Sequence, residues 1–375
     1  MKKNILFIIW SFSYGGGAEK ILANIVNNMD ERIFNIHILE YIYGGCKIEK
    51  IKPYVQVLPP ILDITKPGII NKLKIKLYNK LIYICPKIIR KIYLNKKFDY
   101  EISFNYLIPS FLLDQKNKNI FAWTHGSMYD LEEKPILKKL QKKYFKKVKN
   151  IVCISDLAKE SVQDLYPIYR DKIYKIENGF NFEEIYNMSD IDDMVVEDYD
   201  LIFCGRMDEN KNPIRMLKIV SIIKEHIPDV RLVFMGTGDL MNNVLEEVKQ
   251  RGLEKNVYVA GYNNNPYPYF KNSKVVCMTS FSEGFPTVIA EGMMLGKPFV
   301  STNVGGVKEM SMDGLCGFIE NEDTNFANRI ISLLQDEKLY NKMSEQCISH
   351  IKQFSIESQI NKLYDMLEGE NKSNE

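Results

Sequence analysis

The chain has 375 residues, with 50 Lys+Arg against 48 Asp+Glu, 45% apolar and 26% charged. That length exceeds one ordinary compact domain and points to two α/β domains of roughly 150–200 residues each. The composition excludes a fibrous or disordered chain.

The near-neutral sum hides a split: residues 1–180 hold 31 Lys+Arg and 17 Asp+Glu, whereas the remainder holds 19 and 31. Such asymmetry marks a surface meant for an anionic partner. Seven cysteines, odd in number and without a C-x-x-C pair, are expected as free thiols in a reducing, cytoplasmic setting. The scattered His37, His125, His226 and His350 form no His/Cys cluster, so no metal is expected.

In chain order, the apolar start at residues 4–10 is too short for a signal segment and runs into a glycine loop, so it reads as a buried strand. No window reaches the ~18–20 continuous apolar residues of a spanning helix. Short β-branched or aromatic runs at residues 5–10, 36–40, 100–104, 120–124, 151–154 and 173–176 alternate with longer amphipathic stretches, the rhythm of a parallel sheet. Between them, residues 66–97 carry Lys66, Lys72, Lys74, Lys76, Lys80, Lys87, Arg90, Lys91, Lys96 and Lys97 without one acid, and residues 134–149 add eight lysines. These predict cationic amphipathic faces suited to an anionic membrane surface. No reader motif accompanies them, so nucleic acid is not expected as a partner.

After the Asn178-Gly179 turn and an acidic stretch at residues 190–200, the alternation restarts at 201–204, 231–235, 257–260, 275–278 and 299–301. Two successive doubly wound, Rossmann-like domains are expected, residues 1–180 and 181–355, followed by a terminal segment 356–375. Ligands of such sheets sit at the carboxyl ends of the strands, so the loops there are the candidates for chemistry.

Ser280-Phe-Ser-Glu-Gly-Phe-Pro-Thr-Val-Ile-Ala-Glu291 ends a strand, turns through Gly284 and enters a helix with Pro286 in its first turn, which Gly296 then terminates. The free amides of Thr287 and Val288 are placed to attract a diphosphate. Glu283 and Glu291 can serve different parts of one extended ligand. In Phe203-Cys-Gly-Arg206-Met-Asp-Glu-Asn-Lys211, a strand and a glycine turn deliver two cations that can offset charge on a departing diphosphate without a metal. The front loop Gly15-Gly16-Gly17 follows the first strand but is neither a Walker A motif nor a full G-x-G-x-x-G, so nucleoside triphosphates and nicotinamide cofactors are not expected. His125 sits just after another predicted strand.

The Glu-x7-Glu segment followed by Gly-Lys-Pro, the Gly-Arg…Lys segment and the Gly-Gly-Ala-Glu loop together resemble glycosyltransferase family 4. The resemblance is specific across residues 201–310 and present in outline elsewhere. It implies the GT-B fold, two Rossmann-like domains facing an interdomain cleft, with the terminal helix returning to the first domain. It further implies that the first domain binds the acceptor and the second the nucleotide sugar.

By the same resemblance, Glu291 would hold the ribose, Glu283 with the amides of Gly284 and Phe285 the donor sugar, and His125 would stand beside that sugar. Gly236, Gly238 and Gly261 would line nucleotide-facing loops. One departure is Asn212, where most members carry glycine after the lysine. Gly305, Gly306 and Glu309 also fit the pattern, but a tight turn entering a helix explains them and they stay outside the candidate set.

The implied activity is retaining transfer from a nucleotide sugar, with a uridine diphosphate donor expected first and guanosine diphosphate second, and no cofactor or metal. The expected acceptor is a lipid-linked saccharide in bacterial-type surface polysaccharide assembly, on the cytoplasmic face of the membrane. A nucleotide-sugar epimerase on a related fold and a non-catalytic sugar-nucleotide sensor or membrane adaptor are the rival readings.

Overall fold

Two parallel sheets organise the chain, and the predicted apolar runs supply their central strands. The computed structural model describes residues 2–13, 17–45, 50–65, 69–94, 96–190 and 197–369. The chain divides into one unit of residues 1–180 with 356–375, and a second of residues 181–355.

The first unit contains β1 (Lys3–Ile9), β2 (Phe34–Glu40), β3 (Ile42–Tyr43), β4 (Val55–Val57), β5 (Leu62–Asp63), β6 (Tyr100–Ser103), β7 (Ile120–Thr124), β8 (Asn150–Cys153) and β9 (Ile173–Lys175). Seven of these form one sheet in the order β4-β2-β1-β6-β7-β8-β9, while β3 and β5 pair separately. Its central register sets Ile5 beside Ile36 on one side and Tyr100 on the other. Residues 5–9 of β1 are buried, as a parallel strand covered on both faces requires.

The step from β1 to β2 runs one way across the sheet, whereas the steps to β6, β7, β8 and β9 run the other. Right-handed crossovers therefore put helix Gly17–Asn28 on one face and helices Ile69–Ile84, Pro86–Tyr93, Pro135–Phe145 and Asp156–Leu165 on the opposite face. Ile82, Ile89, Phe145 and Val162 accordingly share one core cluster with Leu6, Ile8 and Leu39. Helix Pro86–Tyr93 is also pinned electrostatically: Arg90 turns inward, its Nη2 lying 2.6 Å from Glu101 Oε1, and its Nη1 donates to the Leu112 carbonyl. Arg90 is thus a structural cation and not part of the outward basic face expected from sequence.

Helix Ile356–Glu368 closes the other face. The Asp30 amide donates to Tyr364 Oη at 2.7 Å, the Tyr364 ring lies 5.6 Å from Phe34, and Lys362 pairs with Glu177 at 2.6 Å.

The second unit contains β10 (Tyr199–Cys204), β11 (Leu232–Met235), β12 (Val257–Gly261), β13 (Ser273–Met278), β14 (Phe299–Ser301) and β15 (Gly317–Ile319), ordered β12-β11-β10-β13-β14-β15 and parallel throughout. Helix Pro213–His226 packs Met216, Leu217, Val220 and Ile223 into a core with Leu201, Phe203 and Phe234. Residues 191–196 of the acidic stretch lie outside the described residues. No helix among the described residues is long and apolar enough to cross a membrane.

Candidate functional site

In the second unit, the loops leaving β10, β11 and β12 are stitched to one another by their backbones. Gly205 N–H donates to the Met235 carbonyl, Met207 N–H to Thr237, Leu240 N–H to Met207 and Gly236 N–H to Gly261. That stitching requires glycine. A Cβ on Gly236, whose φ is +125°, would lie 2.0 Å from the Gly205 oxygen, and one on Gly238 would lie 2.4 Å from the Met207 oxygen. Gly261 also adopts a positive φ, +72°. These three candidate residues therefore have an architectural task, bringing three strand ends together at the edge where ligands of such sheets bind.

The loop after β10 is organised by Asp208, which carried no sequence signal of its own. One carboxylate oxygen accepts the Lys211 amide at 2.9 Å and the other lies 3.0 Å from Arg206. Arg206 is largely exposed, and Asp208 is the partner it holds. Lys211 turns elsewhere: its Nζ lies 2.5 Å from Glu283 Oε1, both side chains being mostly buried. The structure thus brings Lys211 and Glu283 into direct contact and leaves Arg206 outside that pair. Asn212 sits in the left-handed region at φ 52°, ψ 55°, where asparagine is among the few tolerated non-glycine residues. The departure at this position therefore preserves the glycine-like turn, and Pro213 starts the following helix.

The loop after β13 is held from both sides. Phe281 N–H donates to the Asn210 carbonyl, Asn210 Nδ2 donates to the Ser282 carbonyl, and the Thr279 hydroxyl reaches the carbonyls of Lys211 and Asn212. On the other side Gly306 N–H donates to the Gly284 carbonyl, and the Thr302 hydroxyl donates to the Ser280 carbonyl.

A Cβ on Gly305 would sit 2.5 Å from the Gly284 oxygen, and one on Gly306 2.1 Å from the Phe285 ring. Gly305 and Gly306, which a tight turn alone was expected to explain, are therefore part of the framework that shapes the Glu283 loop. The Phe285 side chain is buried and meets Phe354 at 5.2 Å, so it anchors the loop and leaves only its backbone for a ligand.

Pro286 is the N-cap of helix Thr287–Met294, standing before the first turn and not within it as expected. Its extended ψ of 113° ends the loop, and the first helical amides, including those of Thr287 and Val288, have no acceptor within their own helix. The helix stops where Gly296 takes φ +69°, with Lys297 N–H donating to the Gly292 carbonyl and Gly296 N–H to Met293. Glu291 is buried on this helix, and Tyr267 Oη donates to its Oε1 at 3.4 Å. Tyr267 was invisible in sequence because only the fold brings it to Glu291.

In the first unit, His125 follows β7 and packs its ring on Phe104 at 4.3 Å, nearly parallel to Trp123 at 6.1 Å. Burial holds its pKa down to about 3, a backbone contact with Phe104 pulling weakly the other way. The imidazole is therefore neutral at ordinary pH, with a buried Nε2 that has no hydrogen-bond partner among the described residues.

Gly15 and Gly16 lie outside the described residues, while Gly17 begins helix Gly17–Asn28 with open space at its Cβ position. The segment leading into that loop is braced by Glu40 at the end of β2. Its Oε2 accepts the Phe12 amide at 2.9 Å and the Ser13 hydroxyl at 3.0 Å, and burial raises its pKa.

Two Rossmann-like units with a cation–carboxylate pair at a strand-end helix start define the class, an α/β protein of GT-B type. A family model described as "Glycosyltransferase Family 4" matches residues 15–184, and one described as "Glycosyl transferases group 1" matches residues 189–350. The chain belongs to the family 4-type glycosyltransferases of the GT-B fold.

Among curated relatives, it is 27% identical over 203 residues to an N-acetylgalactosamine-N,N'-diacetylbacillosaminyl-diphospho-undecaprenol 4-alpha-N-acetylgalactosaminyltransferase of Campylobacter jejuni, covering 52% of this chain and 54% of the relative. It is 27% identical over 230 residues to a UDP-Gal:alpha-D-GlcNAc-diphosphoundecaprenol alpha-1,3-galactosyltransferase of Escherichia coli, covering 58% and 59%. A poly(glycerol-phosphate) alpha-glucosyltransferase of Bacillus subtilis is 28% identical over 42% of this chain and 24% of its own. The chain thus spans less than two thirds of the length of each of these relatives. Among solved structures, Anabaena HepE in complex with UDP superposes with a TM-score of 0.75 at 16% identity, covering 98% of this chain and 100% of the other, which shows the shared fold.

Proposed function

We propose that the protein is a retaining glycosyltransferase that moves a sugar from a nucleotide sugar, a uridine diphosphate sugar in the first instance, to a lipid-linked saccharide during surface polysaccharide assembly. The observation that carries this reading is the Lys211–Glu283 contact, four residues before a helix whose first amides have no acceptor of their own. Breaking a glycosidic bond to a nucleoside diphosphate builds negative charge on the leaving group, and fixed donors and cations at that spot lower the barrier. Lys211, Arg206 and the amides of Thr287 and Val288 are the groups assigned to the diphosphate.

Once the phosphate draws on Lys211, Glu283 is released to accept from sugar hydroxyls. Glu291, oriented by Tyr267, is assigned to the ribose. His125, neutral and with one ring nitrogen unfilled, is assigned a hydrogen bond to the sugar and not proton abstraction. The retaining outcome and the absence of a metal requirement are carried over from the family resemblance. Lipid-linked acceptors are supported by the names of the C. jejuni and E. coli relatives. An anionic membrane surface, at the cytoplasmic face, is assigned to the basic first unit.

The test is a panel of nucleotide sugars incubated with the protein and a short lipid-linked saccharide, scored for released nucleotide and a mass-shifted acceptor. Transfer from one donor is expected, with Arg206→Ala lowering kcat about 10²-fold, in the range seen when one transition-state donor is removed. Glu291→Ala is expected to act mainly on donor KM. Isomerised donor without any acceptor product would overturn the reading in favour of an epimerase, and donor binding without turnover would overturn it in favour of a sensor.

A further inference from the structure

Helix Ile69–Ile84 is apolar on two opposite faces. One face, Ile75, Tyr78 and Ile82, packs into the core of the first unit. At 100° per residue Leu73, Leu77, Leu81 and Ile84 fall within about 80° of one another on the opposite side. These four are between 40% and 66% exposed, and Ile88 and Ile92 of the next helix, Pro86–Tyr93, are 60% and 62% exposed. A surface helix ordinarily carries a single apolar stripe, and a second one facing outward calls for a partner.

The charge around this ridge says what the partner is. Lys76 and Lys80 fall along one edge of the stripe and Lys74 along the other, while Lys72, Lys87 and Lys91 are exposed on the same two helices. No Asp or Glu occurs between Asp63 and Asp99. On the same face of the sheet, helix Pro135–Phe145 and its C-terminal end add a second feature. A hollow of about 390 Å³ is lined by Lys139, Lys142, Lys143, Lys146, Ile168 and Tyr169. Aliphatic side chains ringed by ammonium groups complement acyl chains beneath anionic headgroups. Helix Pro86–Tyr93, which carries Ile88 and Ile92, is tied to β6 by the Arg90–Glu101 pair and buries Ile89 on its inner side.

We propose that the Leu73, Leu77, Leu81, Ile84, Ile88 and Ile92 ridge lies in the plane of an anionic bilayer, its side chains entering the acyl boundary. The lysines of the same helices, and those of the hollow, bind the headgroups. This deepens and rests on the reading of the first unit as membrane-facing. It adds that attachment is by shallow insertion and not by charge alone, so part of it survives salt.

The experiment is sedimentation of the full chain with vesicles of equal phosphatidylglycerol and phosphatidylcholine, and with phosphatidylcholine alone, at 150 and 500 mM salt. Binding to the anionic vesicles is expected at both salt concentrations. The Leu73→Ser, Leu77→Ser, Leu81→Ser triple variant should lower it at least tenfold, and a Leu77→Trp variant should show fluorescence quenched by brominated acyl chains. Nucleotide-sugar binding, followed by calorimetry on the same preparations, should be unchanged by the ridge substitutions.

Equal binding by the triple variant would overturn the proposal, as would an unquenched Trp at position 77. So would failure of the unsubstituted chain to bind vesicles, including the case where it forms a dimer that the triple variant abolishes. If donor binding persists through any of these results, the ridge assignment falls while the transferase reading stands. Vesicle binding with no donor binding would have the reverse meaning.

Discussion

At the scale of single residues, the site is held by charges that satisfy each other before any ligand arrives. Asp208 fixes the Lys211 backbone and engages Arg206, while Lys211 Nζ rests on Glu283. On the proposed function, a carboxylate and an ammonium in this contact form a ready exchange point, since the donor's diphosphate would offer the lysine a stronger anion. His125 makes a different kind of statement. Its pKa is held near 3 by burial, against an ordinary value of 6.5, so the unfolded chain binds a proton that the folded chain refuses. His125 therefore contributes a rise in stability with pH across the window from about 3 to 6.5, and its share of the loss at pH 5 relative to neutral pH is about 2 kcal/mol. Replacing His125→Gln should shrink the difference in urea-unfolding free energy between pH 7 and pH 5 by about that amount. An unchanged difference would mean that the ring is solvated. For the same reason His125 should contribute no inflection to the pH dependence of transfer between pH 6 and 8.

At the scale of elements, loops and not helices set the precision of the site, and glycines decide how closely the loops approach. Gly236→Ala would drive a methyl into the Gly205 carbonyl, and Gly306→Ala would drive one into the Phe285 ring. Each should cost about 1–3 kcal/mol through forced backbone strain, a drop of several degrees in the thermal midpoint, together with loss of transfer. Gly17→Ala meets nothing and should leave the midpoint unchanged, so any effect it has on transfer would report a ligand and not the fold.

These same loops show what could be read from sequence and what could not. Strands β1, β7, β10, β11 and β13 were legible because runs of four to six consecutive apolar residues bounded by turns have few alternatives, and the Glu283 and Lys211 segments were legible because their residue types and spacing are specific. The short strands β3, β4, β5 and β15 have too few residues for any periodicity. Tyr267 and Asp208 meet Glu291 and the Lys211 loop in the second unit, and Glu40 meets Phe12 and Ser13 in the first, through strand order and loop geometry, so no local pattern announces them. Gly305 and Gly306 serve as a close approach to the Glu283 loop, which the sequence does not distinguish from a plain turn because both leave the same trace.

At the scale of the whole molecule, each unit carries its own sheet and core, but the first is not continuous in sequence. Helix Ile356–Glu368 supplies it with Ile356, Ile360, Leu363, Met366 and Leu367, all buried. Burying an Ile, Leu or Met side chain is worth roughly 1.5–3 kcal/mol, so five of them contribute on the order of 10 kcal/mol before entropy is counted. That equals the net stability of a typical domain, roughly 5–15 kcal/mol. A chain ending at Ser355 should therefore keep the second unit folded while the first unfolds, exposing β1 and helix Gly17–Asn28. Limited proteolysis with mass analysis should then return a protected fragment near residues 181–355, and protection of residues 1–180 to the same extent as in the full chain would contradict the argument. The milder change Tyr364→Phe removes only the acceptor of the Asp30 amide, which should cost about 1 kcal/mol and appear in the first unit alone. The helix thereby couples residues 356–368 to the folding of the strands that precede residue 180: during synthesis the first unit reaches full stability only after residues 181–355 have been made.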